Sequence, residues 1–124
     1  MVASKSEAGK QTPLPGRAVR GSRTGRPQMA LLDLLGRRWA LRILWELRDE
    51  QPLTFRDLQA RGGGLSSSVL NDRLHELRAA GIVEVESGGY RLSRDGRDLL
   101  EALAPLDAWA KRWAARLAVV ENRS

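Results

Sequence analysis

The spacing of apolar residues from residue 27 onward predicts five helices and one pair of strands. PQMALLDLLG predicts a short first helix, because proline is favoured in a first turn and Gly36 ends the pattern. RRWALRILWELRD predicts a second helix over residues 37–49. Its apolar side consists of Trp39, Ile43, Leu44 and Leu47. Thr54 is the predicted N-cap of a third helix, FRDLQARG, with Phe55 and Leu58 facing inward.

The stretch LSSSVLNDRLHELRAAG, residues 65–81, has the clearest helical pattern in the chain. Ser66 stands where an N-cap is expected, and Gly81 stands where a helix commonly ends. Leu70, Leu74 and Leu77 follow at spacings of four and three, which predicts one buried stripe. We therefore expect a helix over residues 66–80 whose leucines face the core.

The residues after this helix change to a period of two. IVEVE alternates apolar and acidic positions, and Ser87, Gly88 and Gly89 form a turn that leads into YRL, so residues 82–92 predict a small hairpin. Two helices joined by a glycine-containing turn make a helix-turn-helix, and a hairpin directly after the second helix makes it winged. The predicted fold class is mainly α with a small β-hairpin, a winged helix-turn-helix.

The last predicted helix starts at Ser93, its N-cap, and runs to residue 120, with Pro105 expected to kink or split it. Apolar residues spaced by four and three form a seam that indicates a partner helix. This seam, the predicted dimer interface, consists of Leu99, Leu103, Leu106, Ala110, Trp113 and Leu117. The predicted domain spans residues 28–120, and residues 121–124 form a short C-terminal end.

Charge is concentrated before the predicted domain. The net charge is +6, and residues 1–27 hold six cations against Glu7 alone, so the rest of the chain carries only +1. These first residues contain almost no large apolar side chains and predict a disordered basic tail. Four arginines recur there at every third position: Arg17, Arg20, Arg23 and Arg26. They suit a solvated arm and an arm that contacts the DNA backbone about equally.

Several classes of protein are excluded or disfavoured by composition. The chain has no cysteine and a single histidine, His75, so disulfides, thiolate zinc sites and two-histidine metal sites are excluded. No apolar run approaches the roughly 18 residues of a membrane span, and no signal peptide is visible. The serines at 66–68 are the only nucleophile-like cluster, and no base is placed beside them. We expect a soluble, cytoplasmic protein that is not an enzyme and holds no metal or cofactor.

The exposed face of the 66–80 helix carries groups that suit DNA. Serine and asparagine side chains near its N-terminus can bond base edges or phosphates, and Arg73 can contact a phosphate or a guanine. Two alternatives stay open: Ser66 is first of all a cap, and Arg73 can pair with Asp72, with Glu76 or with a residue of another element. The predicted DNA-binding residues are Arg56, Ser66, Ser67, Ser68, Asn71, Arg73, Gly88 and Arg91.

Four segments also resemble a known family. LLGRRWALRILWEL, LTFRDLQAR, LSSSVLNDRLHELRAAGIVE and YRLSRDGRDLL are similar, in order and spacing, to the HxlR-type winged helix-turn-helix transcriptional regulators, relatives of the MarR group. The resemblance covers about residues 28–115. It implies a homodimer joined by the first and last helices. It also implies a two-fold symmetric operator, with the 66–80 helix in the major groove and the hairpin near the minor groove. The chain departs from the family in its short hairpin, and its lack of cysteine excludes thiol-based sensing.

The leading functional prediction is a dimeric, sequence-specific DNA-binding transcriptional regulator. A protein-interaction module on the same fold is the alternative, because fold alone does not fix function. A small-molecule effector is a further hypothesis, since four tryptophans could line an aromatic pocket, although core or dimer packing is the commoner use of such residues. These are Trp39, Trp45, Trp109 and Trp113.

Overall fold

A computed structural model describes the backbone of residues 11–123 and the side chains of residues 11–120. Predictions for residues 1–10 and 124 lie outside these described residues. The helices are α1 (Pro27–Leu35), α2 (Ala40–Glu46), α3 (Phe55–Arg61), α4 (Ser67–Ala79) and α5 (Arg94–Arg123). The strands β1 (Val83–Glu86) and β2 (Gly89–Leu92) lie between α4 and α5 and form one antiparallel sheet. The predicted mainly α fold with a small hairpin, a winged helix-turn-helix, is confirmed.

The second helix is shorter than its apolar pattern predicts. It begins at Ala40 instead of residue 37, because Trp39 has a left-handed backbone with φ of 74°. That conformation is costly for a bulky residue and turns the chain sharply between α1 and α2. The predicted inward side is confirmed, since Ile43, Leu44 and Leu47 are buried and Trp39 packs against the core.

The helix-turn-helix consists of α3 and α4, and both helices start at the predicted caps. The Thr54 hydroxyl accepts a hydrogen bond from the Asp57 amide at 3.1 Å, and the Asp57 carboxylate accepts one from the Thr54 amide at 3.0 Å. This reciprocal pair satisfies two backbone donors at the start of α3. Leu70, Leu74 and Leu77 of α4 are almost completely buried, as the spacing predicts.

The hairpin closes through a two-residue turn. Glu86 pairs with Gly89, and both turn residues between them, Ser87 and Gly88, have positive φ, which is the geometry that matches the twist of short hairpins. Leu53 adds a partner that the strand pattern does not reveal: its amide and carbonyl exchange hydrogen bonds of 2.9 and 2.7 Å with Tyr90. The hairpin is thus fixed to the chain that leads into α3.

The last helix is continuous. Ser93 caps it, with its hydroxyl accepting from the Gly96 amide at 3.0 Å, and α5 then extends through Pro105 to Arg123. The predicted split at Pro105 is therefore wrong. Proline removes one donor to the carbonyl of Glu101, and because Glu101 is exposed, water can satisfy that carbonyl. The helix also extends past residue 120, into the predicted C-terminal end.

The N-terminal segment, residues 11–26, differs from the predicted disordered tail over its described part. Thr12 and Pro13 are buried, and the amide of Gly16 donates to the carbonyl of Gly25 at 2.9 Å. The Arg37 guanidinium also donates to the carbonyl of Gln11 at 3.0 Å. Composition underestimates this order because the segment is held by backbone hydrogen bonds and by contacts with the domain, instead of by its own apolar side chains.

Candidate nucleic-acid interface

The start of α4 is organised by Ser66. Its hydroxyl accepts a hydrogen bond from the Val69 amide at 3.2 Å and lies 3.4 Å from the Ser68 hydroxyl. Ser66 therefore acts as the N-cap, the alternative that the sequence left open. Because that hydroxyl completes the helix, Ser66 supports the neighbouring side chains of the interface.

A polar stripe runs along the exposed side of α4, which we call the α4 stripe. At 100° per residue, its members lie within about 140° of arc, next to the arc of the three buried leucines. The α4 stripe consists of Ser67, Ser68, Asn71, Asp72, His75 and Arg78, all exposed. Asparagine can donate to and accept from one adenine edge, and serine bonds several base edges. The sequence analysis assigned no role to His75. His75 lies one helical turn after Asn71 on this stripe, and the i,i+4 spacing of the two residues is the signal that could have revealed it.

Arg73 faces away from this stripe. Its guanidinium pairs with Glu76 and donates through Nε to the carbonyl of Arg38 at 2.8 Å. Glu76 is 6% exposed and also pairs with Arg37, 39 positions earlier in the chain. The predicted contact of Arg73 with a phosphate or guanine is thus replaced by its alternative, a pair with Glu76. The Arg37–Glu76–Arg73 triad joins α4 to the α1–α2 turn.

Arg91, a predicted DNA contact on the hairpin, is paired with two carboxylates. Arg91 donates through Nε to Glu84 at 2.8 Å and pairs with Glu86. This hydrogen bond to the Glu84 carboxylate, supported by the charge of Glu86, raises the pKa of Arg91 above its ordinary value. One arginine against two carboxylates gives these strands an excess of negative charge, so Arg91 is not free for a phosphate. Gly88 occupies the exposed tip, as predicted.

The remaining predicted cations lie at the surface. Arg56 is exposed in the first turn of α3. The four arginines of the N-terminal segment are exposed as well, and Arg17 donates to the carbonyl of Thr12 at 3.3 Å. These side chains supply positive charge that the α4 stripe lacks, because Asp72 offsets Arg78 within it.

The predicted seam of α5 has two parts. Leu99 and Leu103 pack against the core of the same chain, and Ala110 is half-buried. Leu106, Trp113 and Leu117 are exposed, with exposed fractions of 59%, 47% and 48%. Residues 111–120 are all exposed. The second half of α5 therefore extends beyond the domain and keeps its apolar side uncovered.

The four tryptophans do not share one pocket. Trp109 and Trp113 stack on each other with ring centroids 5.6 Å apart. Trp45 instead lines a groove between α2 and α5, together with Leu41, Leu103 and Leu106, and Arg48 lies 4.2 Å above its ring. Trp39 belongs to the edge of the core. The structure therefore separates these residues into core, groove and exposed helix.

The described part of the chain contains neither a metal-binding cluster nor a membrane-spanning helix. No cluster of three or more His, Asp or Glu side chains in this part of the chain could hold a metal ion. None of the described helices has a long enough apolar stretch to cross a bilayer.

The helix-turn-helix, the exposed α4 stripe and the hairpin together define a winged helix-turn-helix protein. The family model described as HxlR-like helix-turn-helix matches residues 34–118, more than half of the chain. The chain belongs to this family, and it is a transcriptional regulator of the helix-turn-helix class.

Known relatives agree with this assignment. The HTH-type transcriptional regulator MJ0925 of Methanocaldococcus jannaschii is 26% identical over 89 residues, covering 68% of this chain and 83% of its own. The quinone-bound YodB of B. subtilis superposes with a TM-score of 0.65 at 29% identity, covering 68% of this chain and 96% of that one. A possible HxlR family transcriptional factor from Thermoplasma volcanium gives a TM-score of 0.61 at 28% identity, covering 72% and 85%.

Proposed function

We propose that the protein binds double-stranded DNA as a homodimer and recognises a two-fold symmetric operator through α4. The observation that carries this proposal is the α4 stripe, in which Ser67, Ser68, Asn71 and His75 are exposed side by side. An α-helix fits the major groove, where such side chains can distinguish base pairs by their hydrogen-bonding edges. The buried leucines fix the orientation of α4 against the core, and with it the orientation of the stripe.

Phosphate contacts come from other elements in this proposal. The α4 stripe has no net charge, and the hairpin has an excess of carboxylates, so neither supplies the counter-charge that DNA binding needs. Arg56 at the start of α3 and the exposed arginines of the N-terminal segment are the proposed backbone contacts. Gly88 is the proposed point at which the hairpin comes closest to the DNA, because a residue without a side chain lets the backbone lie near the groove.

Arg73 acts indirectly in this proposal. With its guanidinium committed to Glu76 and to the Arg38 carbonyl, it holds α4 against the α1–α2 turn. A recognition helix must be held in a fixed orientation on the DNA, so ion pairs around the buried Glu76 favour specific binding. Arg73 is therefore a positioning residue.

The proposed dimer forms through α5 and the groove beside α2. Monomeric proteins rarely leave a large continuous apolar patch uncovered. Leu106, Trp113 and Leu117 form such a patch on α5, and Leu41 and Trp45 continue it on α2. A second copy with the same patch covers it by two-fold symmetry, and the proposal requires the two α4 helices to lie on one side of that dimer. Half-sites about 34–36 Å apart are expected for such a pair.

The direct test replaces Asn71 with alanine. Losing a bidentate contact to a base costs about 1–3 kcal/mol, so Kd for the operator should rise at least about fivefold. Gln28→Ala is the matched control, since it removes an amide from an exposed position of α1. Fluorescence anisotropy on a labelled operator duplex measures both variants.

Two results would count against the proposal. Equal affinity of the Asn71 and Gln28 variants would remove α4 as the reader of the operator. If the unsubstituted protein binds no duplex above the non-specific level, the alternative of a protein-interaction module would be favoured, because the acidic excess of the hairpin suits a protein partner better than DNA.

A further inference from the structure

A basic site lies on the side of α4 that faces away from the α4 stripe. A cavity of about 460 Å³ opens there between the N-terminal segment, α1 and the α1–α2 turn. Four arginines line it: Arg20, Arg37, Arg38 and Arg73. They come from three separate parts of the chain, and like charges that converge at short distance repel each other unless something compensates them.

The compensation within the described residues is incomplete. Glu76 pairs with Arg37 and Arg73, and Asp33 also lines the cavity. Two carboxylates against four guanidinium groups leave a net charge of +2 around the opening. Among residues 11–120, the guanidinium groups of Arg20 and Arg38 form no ion pair, and that of Arg38 lies 5.9 Å from the Trp39 ring. The cavity therefore favours an anion.

A turn of the N-terminal segment fixes the backbone position of Arg20. Val19 and Ser22 exchange backbone hydrogen bonds of 2.9 and 3.0 Å, which makes a tight turn with Arg20 at its tip. The Arg20 amide donates to the Asp33 carboxylate at 3.3 Å, so the tip is attached to α1.

The conformation of the same loop at its base requires glycine at position 25. It has φ of +70°, and a Cβ there would collide with the backbone of Arg17. Only glycine fits this position without strain. The loop that presents Arg20 therefore has one specific conformation.

We propose that this cavity binds a phosphate group, held by Arg20 and Arg38, with the Arg37–Glu76–Arg73 triad as its rigid wall. Guanidinium groups match the geometry of phosphate oxygens and form charge-assisted hydrogen bonds with them. The phosphate has two sources, a free phosphorylated small molecule or the DNA backbone, which present the same group. The inference stands apart from operator recognition, because inorganic phosphate alone can test it.

The first arm of the test measures thermal unfolding of the full chain in sodium phosphate and in sodium chloride at matched ionic strength. Phosphate should raise the Tm of the unsubstituted protein saturably. Arg20→Ala should weaken the apparent affinity about tenfold, because one charge-assisted hydrogen bond is lost. Arg94→Ala is the matched control, since Arg94 is exposed at the start of α5, lies outside the cavity and belongs to no proposed DNA contact. General salting effects raise all variants alike, so the difference between the two variants is the readout.

The second arm measures binding to a duplex of unrelated sequence as a function of salt. If the DNA backbone supplies the phosphate, the negative slope of log K against log salt should become shallower by about 0.9 in Arg20→Ala and stay unchanged in Arg94→Ala. A saturable phosphate effect that Arg20→Ala weakens supports a free anion, and a selective change in slope supports a DNA phosphate. Identical behaviour of the two variants in both arms would overturn the proposal, whether or not the operator experiment succeeds.

Discussion

Helices α4 and α5 carry the same apolar spacing of four and three, yet the structure uses the spacing in opposite ways. In α4, Leu70 and Leu77 are fully buried against their own domain. In α5, Leu106 and Leu117 are about half exposed, and the helix continues past the last contact with its own core. An apolar stripe thus predicts that one face of a helix is buried. Whether the same chain or a second chain packs against that face depends on the fold.

The largest expected effect comes from shortening a buried leucine of α4. Leu74→Ala leaves a cavity in a tightly packed region and should lower the free energy of unfolding by about 2–5 kcal/mol. Leu117→Ala, the same change on α5, should change the unfolding of an isolated subunit by less than about 0.5 kcal/mol. Urea denaturation at low protein concentration measures both. Equal losses would mean that α5 packs within its own domain and would remove the contrast between the two helices.

A charge on the α5 seam should break the dimer without unfolding the domain. Leu117→Glu places a carboxylate in the proposed interface and should raise the dimer Kd at least about thirtyfold, since burying the unpaired charge costs about 2 kcal/mol or more. Ala115→Glu adds the same charge on the opposite side of α5, beside Lys111 and Arg112. Analytical ultracentrifugation compares them. A dimer that survives Leu117→Glu, or that both variants dissociate equally, contradicts the proposed seam.

Removing the carboxylate of the Arg37–Glu76–Arg73 triad should have an intermediate effect on stability. Glu76→Ala leaves Arg37 and Arg73 facing each other without a carboxylate. We expect a loss of about 2 kcal/mol, below the range for fully buried pairs because both guanidinium groups are partly exposed to water. Glu46 pairs with Arg42 at 2.9 Å and more loosely with Arg61 at 3.8 Å, and because both of these arginines are half exposed, Glu46→Ala should cost much less. If Glu76→Ala is no more destabilising than Glu46→Ala, the triad does not hold α4 in place.

The smallest expected effect concerns pH and the start of α3. Hydrogen bonds from the backbone and side chain of Thr54 lower the pKa of Asp57 below its ordinary value of 3.8. A lowered pKa means that the ionised carboxylate stabilises the fold above the ordinary pKa, and that this contribution is lost as the pH falls through the lowered value. Asp57→Asn should therefore flatten the decline of Tm in acid without altering self-association. An unchanged decline would show that the cap does not contribute.

Local signals in the sequence predict much of this fold. Thr54, Ser66 and Ser93 cap the helices that they were expected to cap, because a cap depends on residues only three positions apart. The hairpin and the buried stripe of α4 are also local patterns. The exposed candidates Ser67, Ser68, Asn71 and Arg56 were predicted as exposed for the same reason.

Contacts between distant residues could not be predicted in this way. The pair between Arg37 and Glu76 joins two different elements, so the sequence offered Glu76 only as one of several possible partners for Arg73 and did not indicate Arg37. The order of the N-terminal segment likewise depends on contacts with Asp33 and Arg37, which composition cannot reveal. The role of Arg91 was missed although Glu84 and Glu86 lie close in sequence, because the hairpin register brings them to one side.

Selection of bound sequences from a random pool of duplex DNA, with the full chain and with Asn71→Ala, tests the central claim most directly. We predict that the full chain enriches a two-fold symmetric sequence with half-sites about one helical turn apart, and that Asn71→Ala loses or changes the preference at one position in each half-site. Enrichment of no sequence, or of the same sequence by both proteins, would contradict recognition of an operator by α4.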